Sequence, residues 1–177
     1  MKVLYQTSTN SLRQKEQAPV KDGWQKIGIE TELKSVDAGV FFASDPGLVD
    51  TINKMPWDTG MWTSTFGSPY PQAYMKQWYS GDQARDIAQK SNNWGGGNRN
   101  RWVSDEFNKL YDQTLRELDP EKSKAMWHKL NDMVVSEFVN VPLIDRKSVG
   151  AYNKRIKGPG IVPFDSDPWN IGDWAPA

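Results

Sequence analysis

The chain has no cysteine and a single histidine, His128, in 177 residues. Without cysteine there can be no disulfide, no thiolate metal site and no cysteine nucleophile. With one histidine, a metal centre would have to be built mainly of carboxylates, and a Ser-His-Asp relay could use only His128. Net charge is also missing: 22 Lys and Arg stand against 22 Asp and Glu. That balance argues against nucleic-acid-binding and membrane-surface proteins, which usually carry a basic excess. No apolar run approaches the roughly 20 residues that a membrane-crossing helix needs. The opening MKVLYQT enters a strand pattern at once, with no signal peptide ahead of it. The expectation is a cytosolic chain, or a segment of a longer exported chain given a start methionine.

Tryptophan, by contrast, is abundant. Nine residues of this type are spread over the chain, more than one core of this size needs, and a surplus on a surface suits stacking on sugars, peptides or aromatic ligands. One stretch organises the rest: residues 57–71, WDTGMWTSTFGSPYP. Its first half alternates like a strand, residues 57–63. Its second half is a loop marked by Gly67, Pro69 and Pro71, and a helical pattern follows from Gln72 to Tyr79. A strand that runs through a Gly/Pro/Ser loop into a helix is where α/β folds usually hold ligands.

Around that stretch the pattern predicts a strand at 2–7, a polar turn with Asn10 as an N-cap, and a helix over 12–27. Val20, Trp24 and Ile27 share a face of that helix. Pro19 should kink it or mark a later start, and Gly28 should end it. A second strand covers 29–36, and the strand–helix–strand unit predicts a parallel crossover. Residues 80–101 read as a long polar loop around Trp94. Ser104 caps a helix over 105–118, with Leu115 and Leu118 on its buried face. Asp119-Pro120-Glu121 starts a second helix that reaches Phe138. Short strands are expected at 140–144 and 147–152. The proline-bearing tail from 157 shows little periodicity.

The loop hydroxyls and aromatic of Thr63, Ser64, Thr65 and Phe66, beside Trp62, bind by hydrogen bonding and stacking, and nothing there activates a serine. Trp94 and Arg99, in the WGGGNRNR segment, are the other ligand-binding candidates, the arginine suiting a carboxylate or phosphate. Gly95, Gly96 and Gly97 lack the lysine and hydroxyl of a phosphate-binding loop and read as a flexible or close-approach turn. His128 reads as a surface or half-buried residue, and the carboxylates as solvated faces and caps. The residues indicate binding, not catalysis: no catalytic residue, metal ligand or cofactor site is expected.

The ordered set LYQTSTNSLRQKEQAPVKDGWQKIGIETELKSVD, WDTGMWT, NRNRWVSDEFNKL and VPLI resembles the C-terminal lobe of ABC-transporter solute-binding proteins of the oligopeptide/dipeptide/nickel class. The resemblance implies an α/β fold, a single periplasmic-binding-protein-like (class II) lobe with a mixed sheet flanked by helices. It implies residues 1–157 as a ligand-binding lobe and 158–177 as an extended tail crossing back to an N-terminal lobe missing here. Implied partners are a small solute (oligosaccharide, peptide or opine-like) and, for the full-length parent, an ABC permease, with no nucleic acid. The parent would be periplasmic or extracellular, lipid-anchored or soluble. Peptide-binding members place an aspartate in the loop after the Trp-containing strand, and some an arginine in that strand; residues 59–68 carry no charge. That absence favours a neutral ligand, or one whose charges are met elsewhere, by Arg99 or the absent lobe. An isolated lobe of this kind would expose an aromatic-rich face, and the alternative is a structural or interaction domain that forms a homodimer through it.

Overall fold

A computed structural model describes residues 1–65, 67–147, 149–160, 162 and 165–177. Its centre is a three-stranded sheet in the order β2-β1-β3. Strand β1, Lys2–Ser8, lies in the middle. It pairs in parallel with β2, Glu30–Val36, from Lys2 opposite Glu30 to Ser8 opposite Val36. On its other side it pairs in parallel with β3, Thr59–Met61, from Tyr5 opposite Thr59 to Thr7 opposite Met61. The central strand of a parallel sheet is covered as well as paired, and Val3, Tyr5, Gln6, Thr7 and Ser8 are buried. The Thr7 hydroxyl donates to the Met61 carbonyl at 2.6 Å and the Gln6 amide nitrogen to the Asp50 carbonyl at 3.3 Å, while the Gln6 side-chain oxygen is buried without a partner.

Helix α1, Ser11–Lys26, connects β1 to β2. Asn10 caps it as its position predicts, its side chain accepting from the amides of Leu12 and Arg13 at 3.1 and 3.2 Å. The helix runs through Pro19 without ending. Pro19 and Lys15 face solvent, so the carbonyl that the proline leaves unbonded can be met by water. The inward face is Arg13, Gln17, Val20 and Trp24, at helical spacing. Gln17 is buried and donates to the Tyr5 carbonyl at 3.0 Å; Trp24 packs on the Tyr5 ring at 5.5 Å. Ile27 lies beyond the helix and is exposed, because the chain turns there to reach Gly28 at φ +83°.

Beyond β2 a single turn, α2, Ala38–Phe41, seats Phe41 in the core, stacked on Trp57 at 5.3 Å. That indole shortens β3 relative to the predicted 57–63. It lies over the backbone at Gly60, where a Cβ would stand 2.3 Å from the Trp57 Nε1. The main sheet is parallel throughout because β3 is reached by this crossover and not by a hairpin. Antiparallel pairing occurs, among the described residues, only in the ribbon of β4, Ile156–Lys157, with β5, Ala175–Pro176.

The second half is helical. Helix α3, Gln72–Met75, and the 3-10 turn after it deliver Met75 and Trp78 to a core completed by α5, Asp105–Thr114, and α6, Pro120–Ser136. Phe107, Tyr111, Trp127, Leu130 and Val134 fill that core. Ser104 and Asp119 cap the two helices as predicted. Helix α5 stops at Thr114, one turn short of the expected 118, so Leu115 and Leu118 are exposed, Leu118 at 94%. Phe138 sits past the end of α6 at φ +55° and is 80% exposed, not buried. Residues 140–144 and the described part of 147–152 are in no strand and pair with neither edge of the sheet.

Candidate functional site

The strand order marks one end of the sheet as the place where open α/β folds hold ligands. From β1 the chain goes first to β2 on one side and later to β3 on the other. The crevice beyond the carboxyl ends of β1 and β3 is therefore the topological switch point, where open α/β sheets hold ligands. Two segments meet there: Ser8 and Asn10 with the first turn of α1, and the run from Trp62 to Thr65 after β3.

Of the sequence-predicted residues, Trp62 is half-buried next to Met61, and Thr63, Ser64 and Thr65 are exposed. Ser64 and Thr65 line a shallow cavity of about 280 Å³ with Gly67, Ala73, Tyr74 and Gln77. Phe66 lies outside the described residues. Thr63 faces a different group. Its hydroxyl accepts from the Arg13 guanidinium at 3.5 Å and from the Arg146 guanidinium at 3.3 Å. Arg13 is half-buried; it also donates to the Ser8 hydroxyl and lies over the Phe42 ring, 5.5 Å from its centroid. Burial, and then the neighbouring Arg146 charge, lower the Arg13 pKa from its ordinary value, with Glu16 acting in the opposite direction. Neither arginine stands out in the sequence. The signal for Arg13 is its place one turn before Gln17 on the inward face of α1.

Trp94 and Arg99 are brought into another cluster. Arg99 donates from Nε to the Asn53 side chain at 2.6 Å. Arg101 donates to the carbonyls of Ala88, Arg99, Asn53 and Lys54 at 2.7–3.4 Å. Lys54 and Arg101 both lie over the Trp94 ring, at 5.7 and 5.4 Å. The segment expected to be a long loop is held by helix α4, Gln83–Asp86, by a bridge between Ile87 and Asn98, and by the buried Asn98 amide donating to the Trp102 carbonyl at 2.7 Å. Gly96 is the close-approach position: a Cβ there would lie 2.3 Å from the Ile87 carbonyl carbon.

A larger open groove of about 890 Å³ runs along α5, lined by Tyr79, Asp105, Asn108, Asp112, Arg116 and others, and shares no residue with the strand edge. There Asp112 accepts from the Tyr79 hydroxyl at 3.0 and 3.2 Å. Partial burial, then this carboxylate, push the phenol up to about 12. His128 is exposed. Among the described residues no group of three His, Asp or Glu could hold a metal ion, and no helix is long and apolar enough to cross a membrane.

No family profile and no curated protein matches the chain by sequence. Solved structures do match. The fold is that of part of the oligopeptide, dipeptide and nickel class of ABC-transporter solute-binding proteins. The oligopeptide-binding protein of Thermus thermophilus, complexed with a pentapeptide, is 25% identical with a TM-score of 0.61, over 78% of this chain and 23% of that one. NikZ of Campylobacter jejuni, in complex with Ni(L-His), is 13% identical with a TM-score of 0.63, over 98% of this chain and 33% of that one. The ABC transporter-associated periplasmic binding protein DppA of Helicobacter pylori, in complex with the peptide STSA, is 18% identical with a TM-score of 0.56, over 80% of this chain and 25% of that one. The chain thus spans between about a quarter and a third of the length of these proteins.

Proposed function

We propose that the chain is the ligand-binding C-terminal lobe of an ABC-importer solute-binding protein and performs no catalysis. The observation that carries this reading is the meeting of Trp62, Thr63, Ser64 and Thr65 with the first turn of α1 at the switch point of a sheet whose fold is shared with peptide- and nickel-complex-binding proteins. In the parent, a second lobe would close over this edge, and a permease would take the solute; the parent would be periplasmic or extracellular. Residues 1–157 would form the lobe. Residues 158–177 would lead towards the other lobe, starting from the ribbon in which β5 folds back on β4.

Recognition here is by hydroxyls, an indole and guanidinium groups, which suits a peptide or an opine-like solute. An oligosaccharide would use Trp62 and the three hydroxyls alone. The test is a thermal-shift series with trialanine, Ni(L-His) and maltotriose at millimolar concentration, repeated with Trp62→Ala. The reading requires that at least one solute raises the melting temperature of the protein and that Trp62→Ala abolishes the effect. No shift with any of the three, or shifts indifferent to Trp62, would count against it.

A second reading is favoured by a specific feature. Val141, Leu143, Ile144, Val149 and Tyr152 are all more than half exposed along one extended segment. Such a strip would let the isolated lobe self-associate as a structural domain. Sedimentation at rising concentration tests it: a monomer throughout would remove this alternative and leave the first.

A further inference from the structure

Residues 59–68, in β3 and the loop after it, carry no charge, which favours a neutral solute. The strand edge in three dimensions is not neutral. Two guanidinium groups, from opposite ends of the sequence, arrive at the same threonine hydroxyl. Arg13 comes from the first turn of α1 and Arg146 from the extended segment after α6. Two cations sharing one weak acceptor repel each other, and a hydroxyl cannot offset that as an anion would. Among the described residues neither makes an ion pair. The nearby acids are otherwise placed: Asp145 pairs with Lys147 at 3.7 Å, and Glu16 acts on Arg13 only through space.

Arg13 is not a solvent-ranging side chain. Its Nε is buried with no hydrogen-bond partner, its guanidinium donates to the fully buried Ser8, and its Cζ lies over the Phe42 ring. A guanidinium fixed this way, its orientation set before ligand arrives, loses little entropy on pairing with a planar or tetrahedral oxyanion. Arg146 is exposed and brings a second fork to the same point. We propose that Arg13, Arg146 and Thr63 form an oxyanion subsite, with the buried Ser8 holding Arg13 in place, which takes a carboxylate or phosphate group of the solute. The inference rests on the strand edge being the ligand edge, and it replaces Arg99 as the source of positive charge there.

The experiment is a titration of the protein with sodium phosphate and, separately, sodium acetate at constant ionic strength set with chloride, followed by NMR of the arginine Nε–Hε groups. The proposal requires that Arg13 and Arg146 shift together and saturably with at least one of the two anions while Arg99 and Arg101 stay still. Saturation with acetate assigns a carboxylate-bearing solute, and saturation with phosphate alone a phosphate-bearing one. Arg146→Gln, at an exposed position that leaves the fold intact, should raise the midpoint about tenfold or more, as loss of a hydrogen bond to a charged group does. Non-saturating drift shared by all arginines, or a midpoint unchanged in Arg146→Gln, would overturn it. The outcome is separable from that of the binding reading. Maltotriose shifting the amides of 62–65 while neither anion saturates would keep the ligand edge and remove the oxyanion subsite.

Discussion

Two pairs of arginines divide this molecule. Arg99 and Arg101 sit in a segment rich in asparagine, glycine and tryptophan, where sequence alone points to a ligand loop. In the fold Arg99 donates from Nε to the Asn53 side chain and Arg101 donates to the carbonyls of Ala88, Arg99, Asn53 and Lys54, so they fasten residues 86–101 to the loop after α2. Arg13 and Arg146 have no such sequence setting, and they converge on one hydroxyl with no carboxylate among the described residues paired to either. An arginine such as Arg101, whose bonds end on backbone carbonyls, is a structural tie, and Arg99 is tied to the Asn53 side chain beside it. One whose donors end on hydroxyls beside a second cation is waiting for an anion.

The comparison can be broken or sharpened by substitution. The largest effect should come from Gly96→Ala, which sets a methyl against the backbone of Ile87 and Ala88 and should cost about 3 kcal/mol of stability in urea unfolding, the upper end for overpacking. Arg101→Ala should cost about 2 kcal/mol, since it leaves part-buried carbonyls without donors, and should leave solute-induced thermal shifts unaltered. Arg146→Gln should do the reverse: stability within about 0.5 kcal/mol of the parent chain, as for an ordinary surface change, and loss of anion response. If Arg101→Ala were neutral and Arg146→Gln destabilising, the division would fail.

The smallest effect is on pH dependence in the helical half. Tyr79 has a folded value of about 12, above the ordinary phenol range near 10. Its neutral form is favoured by folding, so this contribution to stability is fully present below about pH 10 and is lost as pH rises towards 12. Burial also raises Tyr5, Tyr74 and Tyr111, so ultraviolet titration should show several late phenols, of which Asp112→Asn should bring Tyr79 earlier. An unchanged titration in Asp112→Asn would mean that burial alone sets the value.

Much of the fold was legible because local rules and tertiary packing agree. Asn10, Ser104 and Asp119 are caps whose side chains bond the amides that their positions predict. The β1–α1–β2 unit is parallel, as its connection requires. The readings that failed are ones that depend on what lies alongside. Leu115, Leu118 and Phe138 continue an apolar period past the point where the helices have a neighbour, so they stand in solvent. Residues 140–144 read as a strand in sequence but pair with no described strand. The candidate site was half legible. Residues 62–65 announce themselves by composition, but the approach of Arg146 to Thr63, 83 residues away in sequence, follows from the path of the chain after α6, which no local pattern encodes.

The central claim is that ligand meets the chain at the carboxyl ends of β1 and β3 and not at the tryptophan–arginine loop. The most direct measurement is amide chemical-shift mapping of the 177-residue chain titrated with trialanine to millimolar concentration. The account requires the largest shifts at residues 8–13 and 62–65, with 94–101 unaffected. Shifts centred on 94–101, with the strand ends silent, would contradict it.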